Sequence, residues 1–418
     1  MKPEKEETVL KDSFEDRITH HRLQNNPLLV QLRTFAASLK EEGYSDVTML
    51  SKVSLLADFG QWLRRSQRTL EHLDEQLVGR FINHEHAVRR GDLKTFQQFL
   101  EHLRSRDVIP ARPCFSDKSP LADVLRRYQE HLRSERGLVT TTIVGYKTFI
   151  HKFLLERFGK GPLLFAELRA SDISDFILRH APTMSPRRAQ LMTTAFRSFF
   201  RFLFRNGELE TDLAACVPTV ADWRLSTVPK YLSPEEVGRV IAACDRRTST
   251  GRRDYAILLL LARLGLRAGE VVALQLDDLD WRAGEIIVRG KGLFHDRMPL
   301  PCDVGEALTS YLRRDRPHSR TRRVFVCMKA PRRGFAGPST LTTIVRRALD
   351  RADLHPVLKG AHLLRHSLAT SMLRSGMTMN EIGEVLRHRI PSTTEIYAKV
   401  DFHTLRALAH PWPIGGGQ

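Results

Sequence analysis

The 418-residue chain carries 66 Lys+Arg against 48 Asp+Glu, a net charge of +18 and a pI near 10.1. That length accommodates two or three domains with substantial cores, and that charge marks a polyanion binder, as a nucleic-acid, ribosomal or membrane-surface protein would be. No apolar run reaches the roughly 18 residues of a membrane helix, and the start, MKPEKEETVLKD, is too charged for a signal peptide, so the expectation is a cytoplasmic protein with no membrane partner.

Residues 1–22 form a charged tail. From 23 to 115 apolar residues recur at three- and four-residue spacing, which predicts about four amphipathic helices, and the pattern returns over 116–222. The two stretches align. FAASLKEEG (35–43) falls on YQEHLRSERG (128–137), Phe59 on Phe153, LEHLDEQLVGRFI (70–82) on LFAELRASDISDFI (164–177), and FQQFLEHLRSRDVI (96–109) on FRSFFRFLFRNGEL (196–209). The offset grows from 93 to 100 residues, as insertions in loops require. Any two amphipathic bundles share some of this periodicity, but the common Phe positions favour duplication. Charge is unevenly placed along the chain: residues 1–115 hold 18 Lys+Arg against 17 Asp+Glu, and the rest of the chain carries +17. A DNA footprint is therefore expected beyond residue 115, with contacts to a neighbouring subunit as the alternative role of the first module.

Residues 223–232, WRLSTVPKYL, read as an extended linker. Ser233-Pro-Glu-Glu236 is a capping box with Pro at the first helical position, and it opens a segment running to residue 405. RDYAILLLLARLGL (253–266) is apolar enough for a central helix and delivers Arg267 at its C-terminal end. VVALQLDDLDW (271–281), EIIVRG (285–290) and DRMPLP (296–301) predict a small antiparallel sheet with Lys291 in the turn of the last two strands. Arg313, Arg314, Arg320, Arg322, Arg323, Arg332 and Arg333 cluster in RRDRPHSRTRR and KAPRRG as candidate contacts to a phosphate backbone. GAHLLRHSLATSMLRSG (360–376) predicts a helix with His362 and Arg365 on one face and Gly376 at its C-cap. Thr378 and Glu381 box the next helix, which ends at His388, and Ser392 and Glu395 box a third that carries Tyr397. A tail, 406–418, closes the chain and is able to pack in cis or on a neighbour. The fold class expected is mainly α with a small antiparallel β-sheet. Cys114, Cys216, Cys244, Cys302 and Cys327 stand singly, without CxxC pairs or His at ligand spacing, so reduced packing thiols and no metal site are expected.

Arg267, Lys291, His362, Arg365, His388 and Tyr397 are the residue types that phosphoryl transfer on DNA needs without a metal. Two guanidiniums stabilise the charge that builds on the non-bridging oxygens, Lys and His move protons, and the Tyr hydroxyl is a nucleophile once a base accepts its proton. His366 and Arg387, outside that set, read as ordinary structural residues.

The order and spacing of LGLRAGE, RGKG, HLLRHS, VLRHR and TTEIYAKV resemble the tyrosine recombinase (phage integrase) family over roughly residues 116–405. The resemblance implies that 233–405 is the catalytic domain, that 116–222 is a helical core-binding domain clamping DNA, and that 23–115 duplicates it. It implies Glu270 as a supporting carboxylate and Tyr397 as the nucleophile of a 3′-phosphotyrosyl intermediate. It further implies a site-specific recombinase of a transposon or integrase type, without ATP, metal or other cofactor. Double-stranded DNA is the implied partner, in a homotetramer on paired sites or a hetero-assembly with related recombinases at the nucleoid. A type IB topoisomerase-like enzyme and a catalytically silent DNA-binding accessory protein are the alternatives.

Overall fold

The computed structural model describes residues 25–84, 89–111, 119–221, 228–290, 295–400 and 406. It is mostly helical, with one three-stranded antiparallel sheet. The chain divides into two compact units, one made of Met1–Arg112 with Thr227–Gln418 and the other of Pro113–Ser226.

Two four-helix modules have the same order of elements. The first runs α1 (Leu29–Glu41), α2 (Asp46–Arg65), a 3-10 turn at Leu70–His72, α3 (Glu75–His84) and α4 (Asp92–Arg104). The second runs α5 (Pro120–Ser134), α6 (Thr140–Phe158), a 3-10 turn at Phe165–Glu167, α7 (Ala170–His180) and α8 (Pro186–Arg205). Their aromatic cores match pair by pair. Phe59 packs edge-on against Phe81 and Phe96, as Phe153 does against Phe176 and Phe196, and Phe35 meets Phe99 as Tyr128 meets Phe199. Each fourth helix ends alike: Asp107 and Gly207 take positive φ, and the amides of Val108 and Glu208 return to the carbonyls of Leu103 and Leu203, both at 3.0 Å. The amphipathic period is the cause, since each helix turns only its apolar stripe inward.

The rest of the first unit is built on α10 (Ser249–Arg263), in which every residue from Ala256 to Ala262 is buried. Around it pack α9 (Pro234–Ala242), α12 (Cys302–Arg314), α13 (Ser339–Arg351) and α14 (Ala361–Arg374). The Ser233 box forms as expected, with Glu236 Oε2 accepting from the Ser233 amide at 2.8 Å. The sheet is β1 (Leu279–Asp280), β2 (Glu285–Arg289) and β3 (His295–Pro299), registered by Ile286 opposite Leu279 and Met298. Leu279, Ile286, Val288 and Met298 point to the core, the period-two pattern of a half-buried sheet.

Three local expectations fail. VVALQLDDLDW is strand only over Leu279–Asp280; before that come the helix α11 (Ala268–Ala273) and a 3-10 turn at Leu276–Asp278, because Glu270 and Asp278 cap helical turns there. Arg267 consequently sits at the N-cap of α11, four residues beyond the end of α10. Tyr397 is carried by a 3-10 segment, Glu395–Val400, and not by an α-helix boxed by Ser392. Among the described cysteines only Cys244 is buried, while Cys216 and Cys302 are exposed.

The end of α1 lies against the arginine-rich loop within its own unit. Glu41 pairs with Arg320 at 2.5 Å, the Arg332 amide donates to the Glu42 carbonyl at 2.9 Å, and the Arg332 side chain lies over Gly43.

Because the two aromatic cores are separate, they should fail separately. Phe153→Ala and Phe59→Ala each remove a ring under 2% exposed and should each cost about 3–5 kcal/mol locally. Hydrogen exchange read by peptide should rise over 120–205 in the first variant and over 29–104 in the second; a uniform rise in both would show one shared core.

Candidate active site

Gly265 makes the turn between α10 and α11 possible. It has φ +57°, and a Cβ there would lie 2.7 Å from Leu386 Cδ2 and 3.0 Å from Leu368 Cδ2, so neither the backbone conformation nor the space suits a larger residue. The turn presents its carbonyl to Arg365, whose guanidinium donates to Gly265 O and to Leu386 O. Arg365 is thereby fixed while only 4% exposed, with donors left over on the same planar fork.

Arg267 is the open member of the pair, its side chain 40% exposed. Its Nη1 donates to Glu270 Oε1 at 2.7 Å, and its amide donates to Glu270 Oε2 at 2.8 Å. That same Oε2 accepts from Arg387 Nη2 at 2.9 Å. One buried carboxylate thus joins two guanidiniums. Burial pushes the Glu270 carboxyl up, but the Arg267 amide, the Arg387 charge and the Arg267 side chain together hold it below the ordinary carboxylate range.

The histidines fall around these charges. His362 is exposed on α14, one turn from His366, and its pKa is lowered by burial of its base and by Arg365 and Arg267. His388 follows α15 (Met379–Val385), and its Nδ1 lies 2.8 Å from Thr394 Oγ1. Burial, then Arg365, Arg267, Arg387 and His366, push His388 down to about 4. Tyr397 is 1% exposed, and burial pushes its hydroxyl up to about 12 against the pull of Arg365 and Arg267. Its Oη lies 2.9 Å from His366 Nδ1. Burial first, and neighbouring positive charge after it, lower His362, His366, His388, Arg365 and Arg387, the electrostatics of a pocket that favours an anion.

Of the six residues singled out in the sequence, Arg267, His362, Arg365, His388 and Tyr397 come together. Lys291 lies outside the described residues, although β2 and β3 on either side of it pair from Arg289 opposite His295 onward. Glu270 is at the centre of the arginine pair. The loop arginines go elsewhere: Arg320 to Glu41, Arg322 to Asp277, Arg323 to the Ala273 carbonyl, and Arg332 over Gly43. Arg313, Arg314 and Arg333 are exposed. Sequence reading passed over two residues of the site. His366 had a usable signal, since it lies one helical turn from His362 on the same face. Arg387, at φ +55°, had none beyond its place beside His388.

Residues 230–404 match the model of the Phage integrase family. The Sinorhizobium fredii protein bearing the name integrase/recombinase y4rA is 44% identical over 392 residues, covering 93% of this chain and 95% of that protein. The tyrosine recombinase XerC of Pseudomonas putida is 32% identical over 295 residues, covering 69% of this chain and 95% of its own. Among solved structures, XerH site-specific recombinase in a post-cleavage complex with palindromic difH aligns at TM-score 0.55 and 19% identity, covering 68% of this chain and 83% of that one. A lambda integrase dimer on a COC′ core site aligns at TM-score 0.51 and 18% identity, covering 66% and 94%. At such identities the two structures speak to fold alone.

Replacing Glu270 tests the electrostatic centre. Glu270→Gln leaves Arg387, 8% exposed, without its counter-charge and should cost about 3–5 kcal/mol; the more exposed Arg267 is screened by water and contributes less. Since the folded carboxyl titrates below its ordinary value of 4.5, its contribution is full above that pH and disappears as pH falls through the lower folded value. Urea midpoints should therefore differ most near neutrality and converge in acid. A gap that does not change with pH would contradict the charge explanation.

Proposed function

Because the chain belongs to the phage integrase family of tyrosine recombinases, and is thus a site-specific recombinase, we propose that Tyr397 is its nucleophile and that Arg267 and Arg365 hold the scissile phosphate. The Tyr397 oxygen forms a bond to phosphorus, the bond to the 5′ oxygen breaks, and a 3′-phosphotyrosyl linkage remains. Lys291 gives its proton to the departing 5′ oxygen, and His362 and His388 hold the phosphate at its flanks. Attack by a partner strand's 5′ hydroxyl reverses the step, and no ATP is needed because the phosphoester is conserved. The observation that carries this reading is electrostatic: Tyr397, His362 and His388 all feel the charges of both Arg267 and Arg365, so one anion can reach all five. Two planar forks are suited to the equatorial oxygens of a phosphate, where charge develops.

On the same reading, 116–222 is the core-binding domain that clamps double-stranded DNA and 233–405 the catalytic domain, joined by the 223–232 linker. The enzyme assembles as a tetramer on paired sites or with related recombinases, at the nucleoid, in the service of a mobile element. The module at 23–115 is a duplicate core-binding domain adapted to assembly, in keeping with its near-neutral charge. Glu41 at the end of α1 pairs with Arg320 and the Arg332 side chain lies over Gly43, contacts that suit a module working on protein better than a second clamp.

The substrate for testing is a randomised duplex nicked at a fixed position, from which wild-type protein selects sequences by covalent capture. Tyr397→Phe should bind the selected duplex normally and give no SDS-resistant adduct; an adduct in that variant would remove Tyr397 from its role. Arg267→Lys and Arg365→Lys should lose about 10²-fold or more in adduct formation, since an ammonium lacks the fork. Wild-type adduct formation should persist in EDTA.

Removing residues 1–111 should leave single-site adducts but reduce paired complexes in gel mobility. The slope of log affinity against log salt should stay the same or steepen, because Arg320 loses its Glu41 partner and Arg332 its cover at Gly43. A slope several units shallower would make the first module a DNA clamp.

A further inference from the structure

Of the three histidines of the site, His366 is the one within hydrogen-bond distance of the Tyr397 hydroxyl among the described residues. His388 directs Nδ1 to Thr394 Oγ1, and His362 stands exposed with its ring 6.3 Å from that of His366. The ring against the nucleophile is His366. Its Nδ1 lies 2.9 Å from Tyr397 Oη, and the two rings pack at 5.7 Å with a 60° tilt; Tyr397 itself belongs to the apolar cluster of Ile382, Leu386 and Val400.

We propose that His366 is the group that accepts the Tyr397 proton when the phosphate is attacked. The inference rests on Tyr397 being the nucleophile. In the attack, the Oη–P bond forms as the P–O5′ bond breaks, the phenolic proton passes to His366 Nδ1, and the leaving 5′ oxygen takes its proton from Lys291. Religation returns the proton from the imidazolium to Oη.

Three features make the transfer reasonable. The ring is positioned by the fold before any DNA arrives, since His366 lies one turn beyond His362 on α14 and is half-buried. The charged and titratable groups that face it are His362 and Arg365 on its own helix, His388 after α15, and Tyr397 itself; burial, His362 and Arg365 bring it down to about 4, so it is neutral and able to accept. An anion on Arg267 and Arg365 offsets the charges that depress it, while bond formation to phosphorus makes the phenolic proton acidic. Nδ1 accepts in the tautomer that keeps its hydrogen on Nε2.

The same contact admits an opposite role, holding the tyrosine away from DNA, and the two predict opposite signs. With the selected nicked duplex, His366→Phe should bind DNA with wild-type affinity and form adduct about 10²-fold more slowly near neutral pH. The deficit should narrow by about tenfold per pH unit as hydroxide takes over the proton. His366→Asn keeps an acceptor near Nδ1 but cannot carry a proton, so it should be equally slow; it also carries the test if the Phe variant fails to fold. A duplex with sulfur in place of the scissile 5′ oxygen has a leaving group that needs no acid, and should relieve Lys291→Ala but neither His366 variant.

Faster adduct formation in the His366 variants would establish the holding role and overturn the proposal. Full activity in His366→Asn would reduce His366 to a positioning residue. Relief by the sulfur duplex would move the ring to the leaving group, and a deficit unaltered by pH would make it structural. An adduct in Tyr397→Phe would instead defeat the parent assignment, a separate outcome.

Discussion

One buried carboxylate makes the rest of the site possible. Burial, then Arg267 and Arg387, lower Arg365, and burial and Arg267 lower Arg387, since a cluster of guanidiniums in a low-dielectric pocket repels itself strongly. Glu270 offsets this by taking Arg267 on one oxygen and Arg387 on the other while also accepting the Arg267 amide. It neutralises one charge, not all of them. Burial, with the positive potential that remains, brings Arg365 down to about 10 and lowers all three histidines. A pocket left with excess positive charge and neutral imidazoles is prepared for an anion and for proton acceptance at once.

Backbone geometry places that potential. Arg365 is held by the carbonyls of Gly265 and Leu386, so the turn after α10 and the end of α15 are both tied to one guanidinium. Gly265 packs on Leu386 and Leu368, which carries the constraint into the cluster around Tyr397. Thr394, 2% exposed, binds His388 and also accepts the Tyr397 amide through its carbonyl at 3.0 Å. Tyr397 and His388 therefore share one anchoring residue, so a shift of the 391–400 segment moves both.

The sequence was a good guide to whatever follows from periodicity, capping chemistry or a distinctive spacing. The helical modules, the Ser233 and Thr378 boxes, the hairpin of β2 and β3, and the gathering of Arg267, His362, Arg365, His388 and Tyr397 all belong to that class. It misled where local patterns compete. VVALQ alternates well enough for a strand, but Glu270 capping Arg267 and Asp278 capping Gln275 draw the chain into helical turns. Ser392 and Glu395 have the spacing of a box, yet Pro391 starts a 3-10 turn and Thr394 is drawn inward to His388. Arg387 escaped because its importance depends on a partner 117 residues away, which no local pattern encodes; for His366, whose partner lies 31 residues away, the one local signal was its place a helical turn from His362.

The paired helical modules show the same division between what a pattern conserves and what a surface can change. Their inward faces match ring for ring and turn for turn, since close-packed aromatic cores tolerate few alternatives. Their outward faces are free of that constraint and can take up different contacts. The end of α1 illustrates this, since Glu41 meets Arg320 in a position where a basic residue would have repelled it.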